Sequence, residues 1–248
     1  WAPDKLNQLE PGIQMDVRGA VHYPGDAHVT PQVFMHQMLH HLKQEGVVFL
    51  PGKEITGIHD HGHTGAEVST ADGDILRARH IVVAAGSWSG KLLKKRGYRL
   101  PMQDGKGYSM TLERPSLKPS IPSILPEARV AITPMGDDLR ISGTLEISGM
   151  DDQINPHKVN SILKAVPEYY PGMKIRDAGA VWFGYRPCTP DGMPYIGPLQ
   201  SGSAVIMATG HAMMGLSLAP VTGRIVKDMV SGISSGHALN KTEPSRFS

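Results

Sequence analysis

The chain has 248 residues, 40% of them hydrophobic and 19% charged, enough to bury one large core or two modest ones. A formal net charge of +2, with no basic run longer than Lys94-Lys95-Arg96, argues against a nucleic-acid footprint. A single cysteine, Cys188, excludes internal disulfides and leans towards a reducing, cytoplasmic compartment, and no apolar run approaches the length of a membrane span.

Residues 1–29 read as irregular or short-stranded, opening at Trp1 in a stretch that looks like a cut end. Thr30-Pro31 then predicts a helix, with threonine as N-cap and proline at the first helical position. Phe34, Met35, Met38, Leu39 and Leu42 form its apolar stripe, and Gly46 closes it. Val47–Leu50 predicts a short buried strand. Segments 54–59, 66–70 and 75–80 predict a β-meander with turns at His61-Gly62 and Asp72-Gly73. The unbroken apolar run 81–85 predicts a parallel strand covered on both faces, ended by Gly86 and followed by a short helix over 88–96.

From Leu100 the character shifts to alternating strands, at 107–113, 128–133 and 139–146. Asn155-Pro156 caps a helix to about Val166, and 178–186 returns as a strand. Segment 204–208 is a further buried strand, running into Gly210 and a last helix from Met213 to Val230. The fold class is therefore α/β plus antiparallel β. Segments 31–98 and 200–232 form an incomplete nucleotide-type, Rossmann-like domain, interleaved with an antiparallel-sheet domain of 1–30 and 99–199.

Two motifs carry chemistry. Gly184-Tyr185-Arg186-Pro187 places an arginine at a strand edge, and its planar fork can hold a carboxylate by two parallel hydrogen bonds. A surface ion pair is the competing reading of that arginine. Gly210-His211-Ala212-Met213-Met214-Gly215 follows a buried strand and opens a helix, whose amide end favours negative charge. His36 and His40 share a helix face, and His59, His61 and His63 alternate in a hairpin. No carboxylate or thiolate set converges on either group, so solvated histidines and no metal are expected.

Together with Thr189-Pro190-Asp191-Gly192 and Ala84-Ala85-Gly86-Ser87-Trp88, these motifs resemble the C-terminal part of the D-amino-acid oxidase/dehydrogenase superfamily of FAD enzymes, nearest the bacterial D-amino-acid dehydrogenase and glycine oxidase branches. The resemblance implies FAD as cofactor and oxidation of D-amino acids, glycine or secondary amines by hydride transfer from the α-carbon to flavin N5. It implies that Arg186 holds the substrate carboxylate, with Tyr108 and Glu146 near the substrate cavity, and that no protein base is required. It implies that Gly210, His211, Ala212, Met213, Met214, Gly215, Leu216 and Ser217 lie against the flavin ring, with Ile55, Ala85 and Gly86 towards the rest of the dinucleotide. Sarcosine oxidases attach flavin to a cysteine where this chain has Gly184, so non-covalent FAD is expected. The dehydrogenase branch implies a respiratory electron acceptor and leaves room for peripheral association with the inner membrane.

The fingerprint G-x-G-x-x-G is not found, so the sequence corresponds to about the C-terminal three-fifths of such an enzyme. The other reading is a truncated, non-catalytic domain that serves at most as partner to a flavin-binding piece.

Overall fold

The computed structural model describes every residue except Lys95, 176–177, 234–238 and Ser248. In chain order come α1 (Pro3–Leu9), α2 (Pro31–Gln44) and the meander β1 (Ile55–Asp60), β2 (Ala66–Thr70) and β3 (Ile75–Ala78). These are followed by β4 (Ile81–Val83), α3 (Ser89–Lys94), β5 (Gln103–Leu112), β6 (Ser123–Leu125), β7 (Val130–Met135) and β8 (Asp138–Ile147). Last are α4 (Pro156–Tyr169), β9 (Trp182–Cys188), β10 (Tyr195–Pro198), β11 (Val205–Thr209) and α5 (Gly215–Val230).

The chain forms two compact units. Trp1–Phe49, Lys106–Glu146 and Asp151–Gly184 make the first; Leu50–Gly105, Ile147–Met150 and Tyr185–Ser248 make the second. The first is organised on an antiparallel-rich sheet of order β6-β7-β8-β5-β9. One face of that sheet buries Tyr108, Met110, Leu112, Ile132, Leu139 and Ile141 against Val159, Ile162, Ala165 and Val166 of α4. Each such side chain stabilises the fold by roughly 1.5–3 kcal/mol. Asn155 starts α4 by accepting hydrogen bonds from the backbone of His157 and Lys158, and the helix continues through Pro167 to Tyr169, three residues past the expected end.

The second unit holds the meander and a three-stranded sheet of order β10-β11-β4. Strand β11 pairs antiparallel with β10 and parallel with β4, Ile206 lying opposite Val82. Its core gathers Val83, Leu93, Leu100, Tyr195, Val205 and Met207.

Four sequence expectations are corrected. Residues 1–29 contain a helix, α1, with Pro3 in its first turn. Val47–Leu50 is neither strand nor buried: no described strand pairs with it and all four side chains are exposed. Val82 of β4 is exposed, so that strand is covered on one face only. The strand expected over 178–186 begins at Trp182, 177 lying outside the described residues and 178–181 being irregular. Thr30 occupies the N-cap of α2 without making a side-chain cap bond, and no residue of α2 is buried. Of its expected apolar stripe, Phe34, Met35, Met38 and Leu39 stand exposed and Leu42 is half-buried.

Candidate active site

Strand β11 ends at Thr209 and runs into Gly210, whose φ of +80° lies in the left-handed region where L side chains are strained. A Cβ there would also meet Thr189 Cγ2 at 2.7 Å and Tyr195 Cδ2 at 3.3 Å, so glycine is demanded twice over. Thr189 is held by donating to the Met193 carbonyl at 2.8 Å, and Tyr195 by donating to the Pro101 carbonyl at 2.7 Å. The chain then passes through His211, through Ala212 (φ +46°) and a single 3₁₀ turn, into α5. The first N–H groups of a helix have no intrahelical acceptor, so this end of α5 presents donors and positive potential. Around it Met213, Met214 and Leu216 are exposed. The His211 ring bonds Thr222 through Nε2 at 3.0 Å, and burial pushes its pKa below the usual histidine range.

Arg186 reaches this turn through the backbone. Cys188, two residues further along β9, forms an isolated antiparallel bridge with His211. The strand carrying the arginine is thereby stitched to the amide end of α5. Burial lowers the pKa of the half-buried guanidinium, with Cys188 acting in the opposite direction, and the group stays a cation. The Cys188 thiol donates to the Arg186 carbonyl at 3.4 Å, and burial raises its pKa, so it is not a thiolate.

The end of β4 lies beside that of β11. Thr209 Oγ1 donates to the Gly86 carbonyl at 3.2 Å, and Ser89 Oγ donates to Thr209 Oγ1 at 3.2 Å. Gly86 has φ +53° with open space where its Cβ would point, preceded by Ala85. Ser87 Oγ is buried without a partner among the described residues, and Trp88 is exposed, edge-on to Tyr185 at 6.3 Å. Ile55 opens β1, half-buried against the second unit's core.

Tyr108 and Glu146 meet in the first unit. The tyrosine hydroxyl donates to Glu146 Oε2 at 2.8 Å and accepts from the Asn155 N–H at 3.2 Å. Only 1% of Tyr108 is exposed, so its hydroxyl orients Glu146. Buried Lys106 latches the same loop by donating to the Asp151 and Gln153 carbonyls, both at 2.7 Å. Thr144 adopts φ +70° within β8, and two residues on Glu146 reaches the hydroxyl of the core residue Tyr108.

One feature had no local signal in the sequence. Arg246 grips Asp191 with Nε to Oδ2 at 2.9 Å and Nη2 to Oδ1 at 3.0 Å, also donates to the Met193 carbonyl, and covers the Tyr195 ring at 4.1 Å. The arginine holds the Asp191 carboxyl down to about 2. This contribution is complete above the ordinary aspartate range near pH 4 and is lost as pH falls through 2. Asp191 is solvent-screened, so Arg246→Ala should cost only about 1 kcal/mol at pH 7. Urea melts at stepped pH should show the wild-type advantage shrinking between pH 4 and 2.

No group of three potential metal ligands gathers among the described residues, and no described helix is long and apolar enough to cross a membrane.

Residues 1–229 match the family model described as FAD dependent oxidoreductase (DAO). The chain belongs to this family. DAO-family relatives include a D-amino acid dehydrogenase of Methylobacterium radiotolerans, 33% identical over 86% of this chain and 51% of the relative. That of Granulibacter bethesdensis is 32% identical over 90% and 54% respectively. The chain thus spans about half the length of the curated relatives it matches. Glycine oxidase from Geobacillus kaustophilus shares the fold with a TM-score of 0.89 at 24% identity, covering 99% of this chain and 66% of that one. Glycine oxidase from Bacillus cereus gives 0.83 at 27%, covering 97% and 67%.

FAD is the cofactor of the DAO family, and the residues here fit part of it. The glycine-opened turns at the carboxyl ends of two parallel strands, the unpartnered Ser87 hydroxyl and the apolar Trp88, Met213 and Met214 suit a flat, partly anionic dinucleotide. Gly184 lacks the thiol for a covalent link, and the Trp182 ring lies 2.5 Å from where its Cβ would stand.

Proposed function

We propose that this chain is the carboxylate-binding and ring-facing part of an FAD-dependent dehydrogenase of D-amino acids, with glycine and secondary amines as neighbouring substrates. The bridge between Cys188 and His211 carries the reading, because it ties the Arg186 strand to the amide end of α5. Arg186 would grip the α-carboxylate by its fork and fix the α-carbon, converting a bimolecular encounter into an oriented one. The stretch 210–217 would cradle the ring, its helix end favouring negative charge there, while Ala85, Gly86 and Ile55 would contact the remainder. Glu146, oriented by Tyr108, would border the cavity. When bound, FAD supplies the acceptor for the substrate's α-hydride. The names of the curated relatives favour dehydrogenase over oxidase. A respiratory acceptor and peripheral contact with the inner membrane rest on the motifs' resemblance to that branch alone.

A second reading has an observation in its favour. The apolar stripe of α2 and the exposed Val47–Leu50 are a surface that globular proteins normally cover, which favours a truncated, non-catalytic domain that does not bind FAD alone and serves at most as partner of a flavin-binding piece. Flavin absorbance and turnover test both readings. A yellow complete protein should oxidise a panel of D-amino acids, faster with a quinone analogue than with oxygen. A yellow 248-residue chain would remove the second reading; a complete protein inert on the panel would remove the first.

A further inference from the structure

The open face of the first unit's sheet, opposite α4, carries a cation to which no anion is paired among the described residues. Arg140 on β8 donates through Nε and Nη2 to Ser109 Oγ on β5, at 3.3 and 3.2 Å. Its guanidinium carbon lies 5.6 Å from the centre of the Trp182 ring on β9. The three residues thus lie across adjacent strands, β8, β5 and β9, while their neighbours Leu139, Ile141, Tyr108 and Met110 point into the core. Ser109 is buried, Arg140 half-buried, and 60% of Trp182 is exposed. The indole lies over Gly184, where any Cβ would collide with it.

A half-buried guanidinium normally finds a carboxylate. Here both polar contacts go to a neutral hydroxyl, and no carboxylate reaches Arg140 among the described residues. Its other N–H groups have no protein acceptor among the described residues, and the fork is held in place by serine and ring. A preset planar donor beside an exposed aromatic ring suits a carboxylate on a short apolar stem, the acid binding the fork and the stem lying on the indole.

We propose that Arg140, Ser109 and Trp182 form a second carboxylate site. Its ligand is a carboxylic acid carried on a short apolar stem, and a free dicarboxylic acid is the probe that fits it.

The test is a tryptophan-fluorescence titration of the 248-residue chain with glutarate, D-glutamate, D-alanine and chloride. Glutarate and D-glutamate should perturb the emission saturably, D-alanine and chloride far less. Trp182→Phe should remove the signal. Arg140→Gln should weaken glutarate about tenfold or more, and Arg140→Lys should restore it only in part, having the charge but not the fork. Equal responses of wild type and Arg140→Gln, or none to either acid, would overturn the site itself. Arg186→Ala should keep the glutarate response. Its unchanged turnover on D-alanine would instead sink the Arg186 reading and leave this titration intact.

Discussion

Arg186→Ala in the complete flavoprotein is expected to lower kcat/KM for D-amino acids about a hundredfold, mostly through KM. Removing a partly desolvated guanidinium from a carboxylate leaves the acid unpaired, a loss on the order of 3 kcal/mol, or about two decades. Arg186→Lys should recover part of the loss, since a lysine supplies charge without the bidentate fork. Steady-state kinetics of the variants check this, with an amine lacking the acid group as control: its slow turnover should be alike in wild type and Arg186→Ala. A KM for D-alanine that stays at the wild-type value would take Arg186 out of its role.

Gly210→Ala is expected to be among the most destabilising single-methyl changes in the second unit. The left-handed backbone alone costs an L residue roughly 1–2 kcal/mol, and a Cβ 2.7 Å from Thr189 Cγ2 adds overpacking of about 1–3 kcal/mol. Gly73→Ala supplies the control, because φ is +92° there but nothing lies within 4 Å of the new methyl. Urea denaturation should give about 1 kcal/mol for Gly73→Ala and about 2–5 kcal/mol for Gly210→Ala. Equal values would mean that Thr189 and Tyr195 do not press on the turn. Because that turn joins β11 to α5, Gly210→Ala should also weaken flavin retention.

Features written in local chemistry were readable from the sequence. Gly62 and Gly73 mark the meander turns and both adopt positive φ. The unbroken apolar run of β11 followed by Gly210 announces a strand-to-helix turn, and Asn155 announces α4. Helix α4 runs past Val166 and through Pro167 because a proline near a helix end loses only one backbone bond, and the buried Val166 and Tyr170 hold the last turn in place. Strands β6 and β10 are three and four residues long, too short for periodicity to show. Val47–Leu50 has a strand's composition, but composition cannot supply a pairing partner.

The site divides in the same way. Arg186 and 210–217 carry their own motif, whereas the bridge that unites them depends on the fold. The Arg246–Asp191 clamp joins residues 55 apart, and the setting of Arg140 between Ser109 and Trp182 is visible only once three strands lie side by side. Tyr108 was legible as a residue of interest, but its burial and its hold on Glu146 were not.

The most direct measurement is a visible-absorbance titration of the complete, oxidised flavoprotein with a carboxylic acid it cannot oxidise, on wild type and Arg186→Ala side by side. A saturable perturbation of the flavin bands is expected in wild type, with affinity about a hundredfold weaker in the variant. Equal affinities in the two proteins would contradict the assignment of Arg186 as the carboxylate anchor beside the turn at His211.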